Sequence, residues 1–198
     1  NQHQVTTFNH AFENEEAARK ALAGFEVVCL MRERTPFPKS LIDALPNLKL
    51  MVTAGMRNAS VDMEAAKARG ITVCGTTSGN HATAELAMGL IVALARNLHV
   101  EFANMREGRW QTTVGHDLHG KTLGLLGLGR LGGQVARMGQ AFGMKTIGWS
   151  PNLTPERAKE HGAERVEKEE LFRRADVISV HMVLSARSRG IVTAGDIA

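Results

Sequence analysis

Tyrosine is absent from this 198-residue chain, and aromatic residues of all kinds make up only 5% of it. Lysine and arginine are scattered among acidic residues, as in Lys159-Glu160 and Lys168-Glu169-Glu170. There is thus no basic block interleaved with aromatics of the kind that nucleic-acid binders present. The net charge of +4 is a dispersed surplus, which favours an anionic ligand without marking a polyanionic partner. Cysteine is scarce as well. The 2 cysteines, Cys29 and Cys74, lie in apolar stretches without a CxxC, which excludes a disulfide scaffold or zinc ribbon and suits a reducing cytosol. The longest apolar run, Leu86 to Ala95, is about half of what a membrane span needs. The polar N-terminus carries no signal-peptide pattern. No GxSxG elbow occurs, and His116-x-x-His119 sits in a glycine-flanked loop without a third ligand at suitable spacing, so no metal is expected. The chain reads as cytoplasmic, with no membrane or nucleic-acid partner.

Short apolar runs alternate with helical patterns, the mark of an α/β protein with parallel sheets. Strands are predicted at Val27–Met31, Leu48–Val52 and Ile71–Cys74, and a helix from Asp62 to Gly70. A long helix over Thr83–Asn97 is apolar on nearly all sides and is expected to be buried between two layers. Residues 101–120 read as a polar, glycine-bearing junction. The alternation then restarts: strand Thr122–Leu126, helix Arg130–Phe142, strand Thr146–Trp149, a helix capped by Thr154-Pro155, a charged helix Glu167–Arg174 and strand Val177–Val180. Both ends read as internal to a longer fold. The chain enters a strand-like Val5–Phe8 almost at once and stops at Ala198 in a helix-like stretch.

Two phosphate-binding patterns lie close together and imply different proteins. Gly115-His-Asp-Leu-His-Gly120-Lys121-Thr122 fits GxxxxGK[ST], but a P-loop needs a strand before it and a helix at the lysine. Here the order is reversed, which argues against it. Gly127-Leu128-Gly129-Arg130-Leu131-Gly132 has the required setting, between an apolar strand and a helix. Gly127 permits the tight turn, Gly129 lets the backbone approach a pyrophosphate, and Gly132 lets helix and strand pack closely. Dinucleotide binding follows. Coenzyme choice is read after the next strand, at Trp149-Ser150-Pro151-Asn152. Ser150 does not repel a 2′-phosphate and Arg157 lies close in sequence, yet Ser150 or Asn152 also suits the 2′-hydroxyl of NAD, so NAD and NADP both stay open.

With these motifs in place the chain resembles the D-isomer-specific 2-hydroxyacid dehydrogenases over nearly its whole length. The landmarks are Thr53-Ala-Gly-Met-Arg-Asn-Ala-Ser-Val-Asp62, Glu64 to Ile71, Thr83-Ala-Glu85, Gly120-Lys-Thr-Leu-Gly-Leu-Leu-Gly-Leu-Gly129 and Ala175-Asp-Val-Ile-Ser-Val-His181. The resemblance implies a flavodoxin-like substrate domain over 1–100, a hinge over 101–120 and a partial Rossmann coenzyme domain over 121–198. It implies hydride transfer between NAD(P) and C2 of a small 2-hydroxy or 2-keto acid, in a homodimer. Substrate carboxylate would be gripped by main-chain N–H groups at Gly55, Met56 and Arg57, where Arg57 replaces a more usual glycine. Coenzyme contacts would fall on Gly127, Gly129, Arg130, Leu131, Gly132, Ser150 and Met182, with His181 a wall residue. The family's catalytic arginine, carboxylate and histidine match positions beyond Ala198, so this chain is expected to lack them and to turn over negligibly alone. A coenzyme-sensing corepressor-like protein, or a formate- or phosphite-oxidising relative, are the alternatives on the same scaffold.

Overall fold

The computed structural model describes residues 4–77 and 81–197. The chain forms two compact units, Asn1–Gly79 and Asn80–Ala198, which part ahead of the expected 101–120 junction.

In the first unit three strands, β1 (Val27–Leu30), β2 (Leu50–Thr53) and β3 (Thr72–Gly75), form a parallel sheet in the order β1-β2-β3. Helices α1 (Glu15–Leu22), α2 (Lys39–Asp43) and α3 (Met63–Ala68) accompany them. Side chains alternate across a strand. Val28 and Leu30 of β1 and Met51 of β2 therefore turn inward onto Leu22, Leu41, Ile42 and Ala66 in one buried cluster. Helix starts are set by short polar side chains. Asn14 Oδ1 accepts the Ala17 N–H at 2.9 Å and Asp62 Oδ1 accepts the Ala65 N–H at 2.9 Å, each cap worth about 1 kcal/mol. The expected strand at Val5–Phe8 does not form. Phe8 instead packs with Phe12 and Phe25 in tilted and edge-to-face arrangements, ring centroids 5.3 and 6.0 Å apart, and with them covers the buried cluster of this unit.

The second unit opens with α4 (His81–Ala95) and α5 (Leu98–Arg106). Then come β4 (Thr122–Leu126), α6 (Arg130–Ala141), β5 (Lys145–Trp149), α7 (Pro155–Glu160), β6 (Glu164–Arg165), α8 (Lys168–Arg174), β7 (Val177–Val180) and α9 (Ala194–Ile197). All pairings are parallel, in the order β6-β5-β4-β7. The chain winds outward from β4 to β6 and then returns to the other side of β4. This reversal is the doubly wound arrangement, and it leaves a crevice beyond the C-terminal ends of β4 and β7. Leu123 and Leu125 of β4 are fully buried with Met88, Ile91, Val135 and Ala136. Asp176, at the entry to β7, accepts the Thr122 N–H at 2.8 Å and ties the starts of the two central strands.

Two expectations are corrected here. Residues 101–106, expected to belong to the polar junction, are instead helical, because Asn97 turns the chain in a left-handed conformation (φ 51°) and a new helix, Leu98–Arg106, follows at once. Buried Asn104 then holds the following segment, its Oδ1 accepting from Arg109 Nε at 2.9 Å, while Glu101 accepts the Thr113 N–H at 2.7 Å. Helix α4 is covered on one side only. Ala84, Met88 and Ile91 are buried, whereas Leu86, Leu90 and Leu94 are 64%, 55% and 67% exposed. A sequence apolar all round does not say which face a neighbour covers. Among the described residues no single helix is long and apolar enough to cross a membrane.

Candidate functional site

The glycine-rich segment lies at the crevice where the strand order reverses. β4 ends at Leu126, and the next N–H, that of Gly127, donates to the Trp149 carbonyl at 2.8 Å. On the other side the His181 N–H donates to the Leu126 carbonyl at 2.7 Å. Gly127 is thus held between the ends of β5 and β7, with φ +95°, a conformation that a residue with a Cβ resists. A Cβ there would stand 2.9 Å from the His181 carbonyl oxygen and from Met182 Cγ. At Gly132 a Cβ would be driven into the Gly127 carbonyl oxygen, so only glycine lets the first turn of α6 lie this close to β4. At Gly129, by contrast, a Cβ would meet nothing within 4 Å: this face of the loop is open.

Gly129 is also the N-cap of α6 and offers no side-chain acceptor. The first backbone bond into the helix runs from the Gly133 N–H to the Gly129 carbonyl, at 2.7 Å. The N–H groups of Arg130, Leu131 and Gly132 therefore find no acceptor among the described residues. They carry the positive end of a 12-residue helix dipole. An open, uncapped cradle of this kind fits a diphosphate.

Ser150 follows β5, which pairs with β4 up to Leu126↔Trp149, so Ser150 stands beside Gly127 at the same edge of the crevice. Met182 follows β7 and lines the opposite wall. The exposed Arg130 guanidinium joins no ion pair among the described residues. Gly127, Gly129, Arg130, Leu131, Gly132, Ser150 and Met182 are therefore brought to one end of one sheet. Lys121, in contrast, leads into β4 rather than a helix, so the GxxxxGK[ST] match has no P-loop geometry.

His181 belongs to the same crevice, with Nε2 2.8 Å from Ser179 Oγ. Burial pushes its imidazole below the usual value of 6.5, which keeps the ring neutral at neutral pH. His161 escaped the sequence reading: its ring packs so closely on Gly133 that a Cβ there would lie 2.6 Å from Nδ1. Leu128 was also missed. It is buried under the loop, and a Cβ on Gly148 would stand 3.2 Å from its Cδ2. Neither has a sequence signal beyond the glycine that makes room for it.

Gly55, Met56 and Arg57 lie in the first unit, in the loop after β2. The Gly55 N–H is already committed, donating to Thr76 Oγ1 at 3.2 Å, while the Thr76 hydroxyl donates to the Thr53 carbonyl at 3.2 Å. The N–H groups of Met56 and Arg57 have no partner among the described residues. The Asn58 side-chain amide braces the loop by donating to the Arg32 carbonyl at 2.8 Å and to Thr53 Oγ1 at 3.1 Å. Arg32, Asn58 and Thr76 were not singled out from sequence, because each acts through contacts with residues distant in the chain.

Comparison with known proteins agrees with this geometry. Residues 88–198 match the model for the D-isomer specific 2-hydroxyacid dehydrogenase, NAD binding domain. The chain is 39% identical over 166 residues to D-3-phosphoglycerate dehydrogenase of Homo sapiens, covering 82% of this chain and 31% of that protein. Phosphoglycerate oxidoreductase from Vibrio cholerae superposes with a TM-score of 0.90 at 36% identity, covering 98% of this chain and 63% of the other. D-lactate dehydrogenase from Aquifex aeolicus, solved in complex with NAD and lactic acid, gives a TM-score of 0.70 at 25% identity, covering 86% of this chain and 52% of the other. The chain thus spans less than two thirds of the length of each. Since the family match alone runs through more than half of the sequence, and the glycine loop sits at the switch point of a doubly wound sheet, the chain belongs to the D-isomer specific 2-hydroxyacid dehydrogenase family.

Proposed function

We propose that this chain holds the coenzyme, and part of the substrate grip, of an NAD(P)-dependent oxidoreductase acting at C2 of a small 2-hydroxy or 2-keto acid. The observation that carries the reading is the uncapped start of α6, with the N–H groups of Arg130, Leu131 and Gly132 facing an open loop. These donors would take the coenzyme diphosphate, with the Arg130 guanidinium adding charge. The Ser150 hydroxyl would reach the adenosine ribose, and Met182 would lie along the adenosine. When bound, the nicotinamide supplies the hydride donor or acceptor. Neutral His181 would wall the crevice without repelling a cationic nicotinamide ring.

In the first unit the Met56 and Arg57 N–H groups would take the substrate carboxylate, the Gly55 N–H being occupied by Thr76. The relatives named as D-3-phosphoglycerate and D-lactate dehydrogenases support a small 2-hydroxy acid as substrate. The exposed Leu86, Leu90, Leu94 and Phe102 support a homodimer. Because Ser150 is uncharged, it tolerates the 2′-phosphate of NADP. Calorimetric titration with NADH and NADPH is expected to detect binding of both. Ser150→Asp is expected to weaken NADPH at least about tenfold by like-charge repulsion while NADH remains bound. Equal loss of both coenzymes in the variant would remove Ser150 from the ribose.

A further inference from the structure

The loop after β2 is moulded against the end of β3. Strands β2 and β3 run in register to Thr53↔Gly75, and the loop backbone passes directly over that last glycine. A Cβ on Gly75 would stand 2.7 Å from Met56 Cα and 2.8 Å from the Gly55 carbonyl oxygen, main-chain atoms that cannot step aside. Thr76 follows and grips the loop at this close approach. Its N–H is shared between the carbonyls of Thr53 at 3.1 Å and Gly55 at 3.3 Å. Its hydroxyl donates to the Thr53 carbonyl at 3.2 Å and accepts the Gly55 N–H at 3.2 Å. A hydroxyl has a single proton, so giving it to Thr53 leaves the oxygen lone pairs for Gly55.

Thr76 therefore holds both main-chain polar groups of Gly55. The peptide between Gly55 and Met56 is planar and trans, so its C=O and N–H point in opposite directions. With the carbonyl fixed on Thr76, the Met56 N–H is aimed away from β3. It has no partner among the described residues, and neither has the N–H of Arg57. Asn58 braces the far side of the loop on the Arg32 carbonyl and Thr53 Oγ1, a support that does not depend on Thr76.

We propose that Thr76 is a positioning residue for the substrate carboxylate. It withdraws the Gly55 N–H from the grip and turns the Met56 N–H outward, leaving two consecutive amides for the two carboxylate oxygens. The inference rests on the grip at Met56 and Arg57 proposed above and adds the residue that shapes it. Thr76 touches no substrate; its hydroxyl acts through Gly55.

Titration with D-lactate, followed by NMR at the Met56 and Arg57 amides, tests this in Thr76→Val and Thr76→Ser. Valine keeps the branched shape and loses the hydroxyl, whereas serine keeps the hydroxyl and loses the methyl group. Thr76→Val is expected to bind D-lactate about five- to tenfold more weakly, and Thr76→Ser within about twofold of the unaltered protein. In Thr76→Val the Gly55 amide, released from its acceptor, should exchange faster with solvent while the amides of β2 and β3 keep their shifts. Thr76→Ala, which removes the hydroxyl without the bulk of valine, should repeat the loss. Undiminished binding in Thr76→Val and Thr76→Ala, or a loss in Thr76→Ser equal to that in Thr76→Val, overturns the inference about Thr76 alone. So does disruption of the β2 and β3 amides in both Thr76→Val and Thr76→Ala, which would make Thr76 a support of the sheet. If D-lactate perturbs neither Met56 nor Arg57 in the unaltered protein, the carboxylate grip itself fails, and the inference with it.

Discussion

Replacing Gly132 with alanine is expected to abolish measurable dinucleotide binding and to destabilise the second unit by about 3 kcal/mol or more. The added Cβ has nowhere to go. It would collide with the Gly127 carbonyl oxygen, a backbone atom whose own residue is fixed by the Gly127 N–H donating to Trp149 at 2.8 Å. Relief requires the start of α6 to lift from β4, and that movement carries the N–H groups of Arg130 and Leu131 away from the crevice. Stability and binding should therefore fall together. Gly129→Ala offers the contrast: a Cβ there meets nothing within 4 Å in the chain, so stability should change little, while the methyl group is expected to weaken coenzyme binding by intruding on the space proposed for the diphosphate. Urea denaturation and calorimetric titration of the two variants separate the effects. Equal stability losses at both positions would show that helix packing does not depend on Gly132.

Truncating Leu125 to alanine is expected to cost about 2–5 kcal/mol, the range for a leucine deleted from a closed core. Leu125 is 0% exposed on the central strand, between β5 and β7, and packs in the cluster with Leu123, Leu128, Val135 and Ala136. Leu128, within the glycine loop, belongs to the same cluster. A loss of stability here should thus come with weaker coenzyme binding, smaller than for Gly132→Ala because the N–H groups of α6 keep their positions. Thermal denaturation checks the first part and titration with NADH the second. A stability change below about 1 kcal/mol would mean that the core around β4 collapses into the space vacated by the side chain.

Much of the second unit was legible because its signals are local. β4 appears at Thr122–Leu126 as read, since a short apolar run bounded by Gly120-Lys121 and Gly127 has few other ways to hide its side chains. The start of α6 at Arg130 follows from the glycines, and that of α7 from Thr154-Pro155, whose Oγ1 accepts the Arg157 N–H at 3.3 Å. Other features depend on partners far along the chain. β6 is two residues, Glu164–Arg165, at the sheet edge, where charged side chains face solvent and leave no apolar alternation to read. Helix α1 opens with Asn14-Glu15-Glu16, a start signal in retrospect, but its short apolar stripe is easily passed over. The residues proposed to take the coenzyme were legible as a group, because three glycines within six positions shape that backbone. The contacts that shape the loop after β2 were not legible. That Thr76 takes the Gly55 N–H, and that Arg32 lies over Gly55, are contacts across 21 and 23 positions, which no local pattern encodes.

The central claim is that the main-chain amides at the start of α6 take a dinucleotide diphosphate. Its most direct measurement is an amide NMR titration of the isotope-labelled protein with NADH, with AMP as a control lacking the nicotinamide half. Saturating shifts at Gly129, Arg130, Leu131 and Gly132, accompanied by Ser150 and Met182, are the predicted result for NADH. AMP should move Ser150 and Met182 with a smaller response at the glycine loop. Shifts confined to other parts of the chain, or no saturable response at Gly129–Gly132 up to millimolar NADH, would contradict the claim.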